Sequence, residues 1–220
     1  YPATTTAAAD GHHRHKKQTG GAGQFGEVYL KVEPLPRGSD PSMLWSWDIF
    51  GGSIPGSFEP AIKKGVTELM SQGALAGFPI QDVKVSITDG KDHPVDSKAG
   101  AFKTAGKYAF REAILKARPV LLEPIVNVEV TVPSENVGDI TGDLAQRRGR
   151  PSGQDILPGN YTVITAQAPL AKLADYHSRL TSITGGKGTY AMEFSHYEPV
   201  PSHESSAIMA QYKPKKDEDE

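Results

Sequence analysis

The sequence predicts an α+β chain of two units, the second a ferredoxin-like βαββαβ domain. Three observations carry that prediction. Short runs alternate apolar and polar residues, as strands do, while longer runs repeat apolar residues every three or four positions, as helices do. After residue 119 the order of these runs is β-α-β-β-α-β, the split βαβ arrangement of two helices on one face of a four-stranded sheet. A composition break at Arg118-Pro119 separates it from an earlier pattern with two strands ahead of the first helix.

Residues 1–11, rich in Ala, Thr and Gly, show no periodicity and read as a lead-in. His12, His13, Arg14, His15, Lys16 and Lys17 read as a solvated basic strand or loop. Gly26–Val32 is a half-buried strand with Val28, Leu30 and Val32 inward, and Leu44–Phe50 is a second strand. Residues 51–56 form a turn cluster. Glu59–Gly73 is a helix: Pro60 costs little near the start, Ile62, Val66, Leu69 and Met70 share a face, and Gly73 stops it. Val83–Ile87 is a strand, residues 89–94 a loop by composition, and Asp96–Lys116 a long helix capped by Asp96 and Ser97.

In the second unit, Ile125–Val132 is a strand and Ser134 caps a helix carrying Val137, Ile140 and Leu144. Strands at Gly153–Ile156 and Asn160–Ala166 flank the turn Pro158-Gly159. Leu170–Thr181 is the second helix, Gly185-Gly186 the break after it, and Thr189–Phe194 the last strand. The expected division is 1–118, 119–200, and an extension over 201–220. Its charged end, Lys213, Lys215, Lys216 and Asp217–Glu220, reads as a solvated, disordered tail.

The bulk numbers narrow the function. With 37% hydrophobic residues in 220, there is enough apolar content for two cores. The absence of Cys excludes disulfides and Cys-based zinc sites. No stretch approaches the ~20 apolar residues of a membrane helix. A formal net charge of −2 excludes a protein that coats nucleic acid nonspecifically, so any RNA contact is local.

Gly21-Ala22-Gly23-Gln24-Phe25-Gly26 matches G-x-G-x-x-G. A dinucleotide-binding loop follows a strand and opens a helix, whereas here a basic run precedes the glycines and a strand follows. The loop Thr19–Gly26 therefore reads as a bent segment whose bare backbone lets an RNA surface come close. No G-x-x-x-x-G-K-[ST] occurs, so this chain carries no phosphate-binding loop of its own. His12, His13 and His15 lack a spaced Asp, Glu or Cys set, so no metal site is expected. His93, Asp96 and Ser97 hold the letters of a hydrolase triad but crowd one loop; no catalytic residue is assigned, and His93 is left to contact RNA. Arg147, Arg148 and Arg150 read equally as a helix C-terminal charge or as a second RNA contact through phosphate.

Several blocks together resemble elongation factor G and elongation factor G-like translational GTPases. Residues 15–26, Gly51-Gly52-Ser53-Ile54-Pro55-Gly56, residues 73–79 and His93-Pro94-Val95-Asp96-Ser97 resemble domain IV of that family, in order. Residues 119–124, residues 138–144, Arg147-Arg148-Gly149 and residues 190–197 resemble its domain V. The resemblance implies an α/β domain like domain 2 of ribosomal protein S5, with a left-handed crossover, followed by a ferredoxin-like domain. It implies that two tip loops, Gln18–Phe25 and Lys91–Ser97, enter the decoding site during translocation. The expected RNA-contacting residues are Lys16, Lys17, Gln18, Gly20, Gly21, Gly23, Gln24, Phe25, Lys91, Asp92, His93 and Pro94.

The implied partners are the ribosome's RNA, the tRNA anticodon arm and mRNA, for a monomeric, cytoplasmic factor that touches no membrane. No cofactor is expected in this chain; GTP and Mg belong to the family's N-terminal domain, expected outside it. Pro94, where the main translocase commonly has an acidic residue, and Lys98 are more like an elongation factor G-like paralogue. A recycling or ribosome-protection member of the same GTPase group is the alternative, and a free-standing nucleotide-binding enzyme is the alternative of another class.

Overall fold

The computed structural model describes residues 1–18 and 20–211; Thr19 and the charged tail lie outside the described residues. The chain divides into two compact units, Tyr1–Leu122 with the segment from Val200 onward, and Glu123–Pro199.

The first unit contains β1 (Ala3–Thr4), β2 (Ala9–Lys17), β3 (Gln24–Pro34), β4 (Met43–Trp47), α1 (Glu59–Gln72), β5 (Val83–Lys91) and α2 (Ala99–Lys116). Its sheet runs β2-β3-β5-β4, with β2 and β5 antiparallel to β3 and β4 parallel to β5. Alternation in β3 and β5 turns Val28, Leu30, Val32, Val83, Val85 and Ile87 to one side. There they bury against Ile62, Val66 and Leu69 of α1 and Phe102, Ala105, Ala109 and Phe110 of α2. Each such burial contributes roughly 1.5–3 kcal/mol for the larger side chains. The helices approach closely because glycines line their contact: a Cβ on Gly65 would stand 2.1 Å from the Lys103 carbonyl oxygen. α1 starts with proline in its first turn and ends at Gly73 (φ 83), as the sequence predicts.

The second unit is built from β6 (Val120–Pro133), α3 (Val137–Gln146), β7 (Arg150–Leu157), β8 (Tyr161–Pro169), α4 (Tyr176–Thr184) and β9 (Thr189–Pro199), and α5 (Ser202–Ala210) follows. The first residues of β6 belong to unit 1. Sheet order is β9-β6-β8-β7, with β8 antiparallel to both neighbours. Val126, Val128, Val130 and Val132 pack with Ile164, Ala166, Ile140, Leu144, Tyr176 and Leu180. This is the expected ferredoxin-like order.

Several expectations need correction. Residues 1–11 are no lead-in: Ala3 donates to the Pro79 carbonyl at 2.7 Å, accepts from the Gln81 N–H at 2.9 Å, and pairs with Leu121. Small residues give no periodic signal, yet they fit a tightly buried strand. The second strand ends at Trp47, not Phe50, and β5 continues through Lys91, where composition reads as loop, because β3 supplies pairing partners for residues 89–91. α2 starts at Ala99 without a side-chain cap, since the Ser97 hydroxyl bonds Phe25 instead. Ser134 caps nothing and bonds Thr162 at 2.8 Å. The predicted helix at Leu170–Thr181 is two pieces, a 3-10 turn over Leu170–Leu173 and then α4. α5 has no signal in the sequence; its Ile208 and Met209 cover Ala3, Leu121 and Val200.

Candidate nucleic-acid interface

Strand pairing builds the site. β2 and β3 form a hairpin whose last pair is Lys17 with Gln24, so the glycine-rich segment is its connecting loop. β5 runs antiparallel to β3 and places Lys91 opposite Glu27, so it leaves the sheet at that same end. The segment from Asp92 to Lys98 then turns into α2. Two loops distant in sequence thus meet at one tip.

Specific bonds join them. The Phe25 N–H donates to the Asp96 carbonyl at 3.1 Å, and the Ser97 hydroxyl donates to the Phe25 carbonyl at 2.9 Å. The His93 N–H donates to the Ser97 Oγ at 2.7 Å. The Val95 and Asp96 N–H groups both donate to His93 Nδ1, each at 3.2 Å. Nδ1 also lies 3.7 Å from the Asp96 carboxylate, an ion-pair distance that matters only if the ring is charged. Two N–H groups aimed at Nδ1 leave that atom as the acceptor, which assigns the ring proton to Nε2.

The glycines serve this junction. A Cβ on Gly23 would come within 2.8 Å of the Asp96 carboxylate, and one on Gly26 within 3.0 Å of the Ala101 backbone. Gly20 has φ +56, a backbone that L side chains rarely adopt. Such a loop does not fit GTP or Mg-bound phosphate. It opens a strand, not a helix, and its Gly23 faces a carboxylate that would repel phosphate.

The tip encloses an open cleft of ≈ 190 Å³. Lys16, Lys17, Gln18, Gln24, Lys91, Asp92 and His93 all line it, and so does Arg14, which the sequence alone does not mark as part of the site. Four cations (Arg14, Lys16, Lys17, Lys91) meet two carboxylates (Asp92, Asp96) there, an excess of positive charge. Arg14 shares a strand face with Lys16, two residues on, and its guanidinium lies 5.2 Å from the Phe25 ring centre. That spacing of two is the signal that could have found it. Gly20, Gly21 and Pro94 are exposed; Gly23 and Phe25 are buried. Phe25 is only 5% exposed and packs beside His93, so its ring supports the tip and offers no free face.

The histidines of β2 serve structure. His12 bonds Glu27 at 2.7 Å and stacks on Tyr29 at 4.1 Å. His13 packs beside Tyr108 of α2, and burial, then neighbouring His15 and His12, hold its pKa below the ordinary 6.5, with Glu112 opposing. The fold therefore favours the neutral ring, and the unfolded chain takes up the proton first. That stability is complete above pH 6.5 and is lost as pH falls through the lowered folded value. In urea unfolding, His13→Gln is expected to flatten the midpoint's decline between about pH 7.5 and 5.5; an unchanged slope refutes the assignment.

The arginine cluster has a further use, in ion pairs. Arg147 bonds Asp143 at 2.9 Å, Asp175 at 2.6 Å and the Lys172 carbonyl at 2.7 Å. Arg148 grips Glu123 with both terminal nitrogens, at 2.6 and 2.8 Å. Arg150 meets Glu198 at 2.9 Å but keeps 57% of its side chain exposed.

Among known families, the model of elongation factor G domain IV matches residues 1–118, and that of the elongation factor G C-terminus matches residues 120–208. The chain belongs to the elongation factor G family. It is 47% identical over 211 residues to elongation factor G of Aquifex pyrophilus, covering 96% of this chain and 30% of that protein. It is 46% identical over 206 residues to the elongation factor G-like protein of Thermotoga maritima, covering 94% and 30%. A crystal structure of a Thermus thermophilus protein matches at a TM-score of 0.80 and 41% identity, over 96% of this chain and 31% of that one. The chain spans about a third of the length of these family relatives. Both halves share the family's α/β folds. Among the described residues no helix is long and apolar enough to cross a membrane, and no group of His, Asp or Glu is arranged to hold a metal ion.

Proposed function

We propose that this chain is the ribosome-probing part of an elongation factor G-like translation factor that promotes movement of tRNA and mRNA. The observation that carries the reading is the stapled two-loop tip with its excess of cations. Lys16, Lys17, Lys91 and Arg14 neutralise phosphates, which gives affinity without sequence preference. Gln18 and the Nε2–H of His93 add directional hydrogen bonds to ribosomal RNA, the tRNA anticodon arm or mRNA. Arg150 is the member of the arginine cluster with a side chain open enough for a second phosphate contact. GTP and Mg belong to a domain that family members carry outside this segment, and the factor works as a cytoplasmic monomer.

Pro94, exposed next to His93, and Lys98 at the start of α2 favour a second reading, a paralogue acting in recycling or ribosome protection. A recycling assay with and without the recycling factor separates the two. For the tip itself the test is His93→Ala in the full-length factor. Losing one such contact is expected to slow single-round translocation about tenfold, equivalent to ~1.4 kcal/mol. An unchanged rate in a factor that does translocate removes the tip assignment.

A further inference from the structure

A third segment reaches the same end of the first unit. β4 lies parallel to β5 with Trp47 opposite Ile87, and the Asp48 N–H extends the ladder to the Ile87 carbonyl at 2.8 Å. The chain then loops and returns with Ile54 buried at 1% exposure. Ile54 sits so close to Gly90 that a Cβ there would come within 2.3 Å of it. Gly90 immediately precedes Lys91 of the cleft. The loop between Asp48 and Ile54 therefore stands on the β4 side of the tip.

Its side chains divide sharply. Trp45, Trp47 and Ile49 fold onto the core of the unit. Phe50 turns out and is 89% exposed, more than any other large apolar residue described. Gly51 (φ +78) and Gly52 (φ +71) make the turn beside it, and nothing lies within 4 Å of where their side chains would be. Leaving an aromatic ring in water forgoes its burial, so the position calls for an occupant. A protein pocket needs a surrounding rim of side chains to exclude water. Here the flanking residues are Gly51, Gly52, Ser53 and Asp48, which give no rim. A nucleobase needs only a free ring face and nearby positive charge, and both are present.

We infer that Phe50 is a stacking platform for an unpaired base of small-subunit ribosomal RNA, a third contact of the tip. This rests on the function proposed above and deepens it. The two basic loops hold the phosphate backbone, and Phe50 takes a base that the backbone leaves splayed outward. Because the ring packs on nothing, replacing it leaves the fold intact.

The experiment compares Phe50→Ala, Phe50→Leu, Phe50→Trp and His93→Ala in the full-length factor, measuring ribosome affinity and photocrosslinking from benzoylphenylalanine at position 50. Phe50→Ala and Phe50→Leu are expected to lose about tenfold in affinity, Phe50→Trp to stay within about twofold, and the crosslink to fall on RNA. Wild-type affinity in Phe50→Leu, or a crosslink to a ribosomal protein, overturns the inference in favour of an apolar pocket. Loss in His93→Ala with none in Phe50→Ala overturns it while leaving the proposed function standing. No loss in either variant removes the proposed function and the inference together.

Discussion

Gly11→Val is expected to lower the stability of the first unit by about 3 kcal/mol, or roughly 10 °C in Tm. Gly11 lies in β2 against α2, and a Cβ there would stand 1.9 Å from the Ala109 carbonyl oxygen and 2.8 Å from the Ala113 Cβ. The Ala109 neighbour is backbone in the middle of a helix and cannot swing aside. Either β2 lifts from α2 or the helix bends, and both disturb the hairpin that carries half the tip. Gly100→Ala is the control, since nothing lies within 4 Å of its added methyl group. In a helix that change should be neutral or slightly stabilising. Thermal unfolding of the wild type and the two variants decides it, and a Gly11→Val variant as stable as Gly100→Ala would refute the close-packing account.

Asp143→Ala should cost the second unit a similar amount, about 3 kcal/mol, through a different cause. The Asp143 side chain is 7% exposed and accepts from Arg147 at 2.9 Å and from Arg179 at 3.2 Å, tying α3 to α4. Arg147 is itself 13% exposed, and its guanidinium centre lies 5.3 Å from the Tyr176 ring centre. Removing the carboxylate leaves a poorly hydrated guanidinium with Asp175 as its remaining acidic partner. Asp175 is 75% exposed, so water screens that pair and replaces much of it. Asp175→Ala should therefore cost far less. Urea midpoints for the two variants give the comparison, and equal losses would place the stabilisation on the surface pair instead.

How far the sequence can be read follows from what each signal measures. Alternation finds β3, the start of β5 and the core of β6 because those strands bury one face. It loses Thr88–Lys91, whose polar letters look like a turn until Glu27, Val28 and Tyr29 pair with residues 89–91. Ala3 and Thr4 are illegible for the opposite reason: a two-residue strand is too short for any period. The cap at Ser97 fails because its hydroxyl has a partner in Phe25, 72 positions away, and long-range competition of that kind leaves no local mark. The site is legible as two basic, glycine-bearing loops. Their junction is not, nor the burial of Phe25, nor the recruitment of Arg14, since all three depend on which strand ends coincide. The arginines read ambiguously because their carboxylate partners Glu123, Asp175 and Glu198 lie 25 to 48 positions away.

The bond from Ser97 to Phe25 has a kinetic consequence. It crosslinks the two tip loops before any partner arrives, so their geometry does not have to be selected from a floppy ensemble. A preorganised surface gives up little conformational entropy on docking, and differences between variants then show mainly in how long the complex lasts. Cutting that one hydroxyl contact, with every charge of the cleft retained, would convert a rigid probe into a pair of independent loops that must be ordered anew at each encounter.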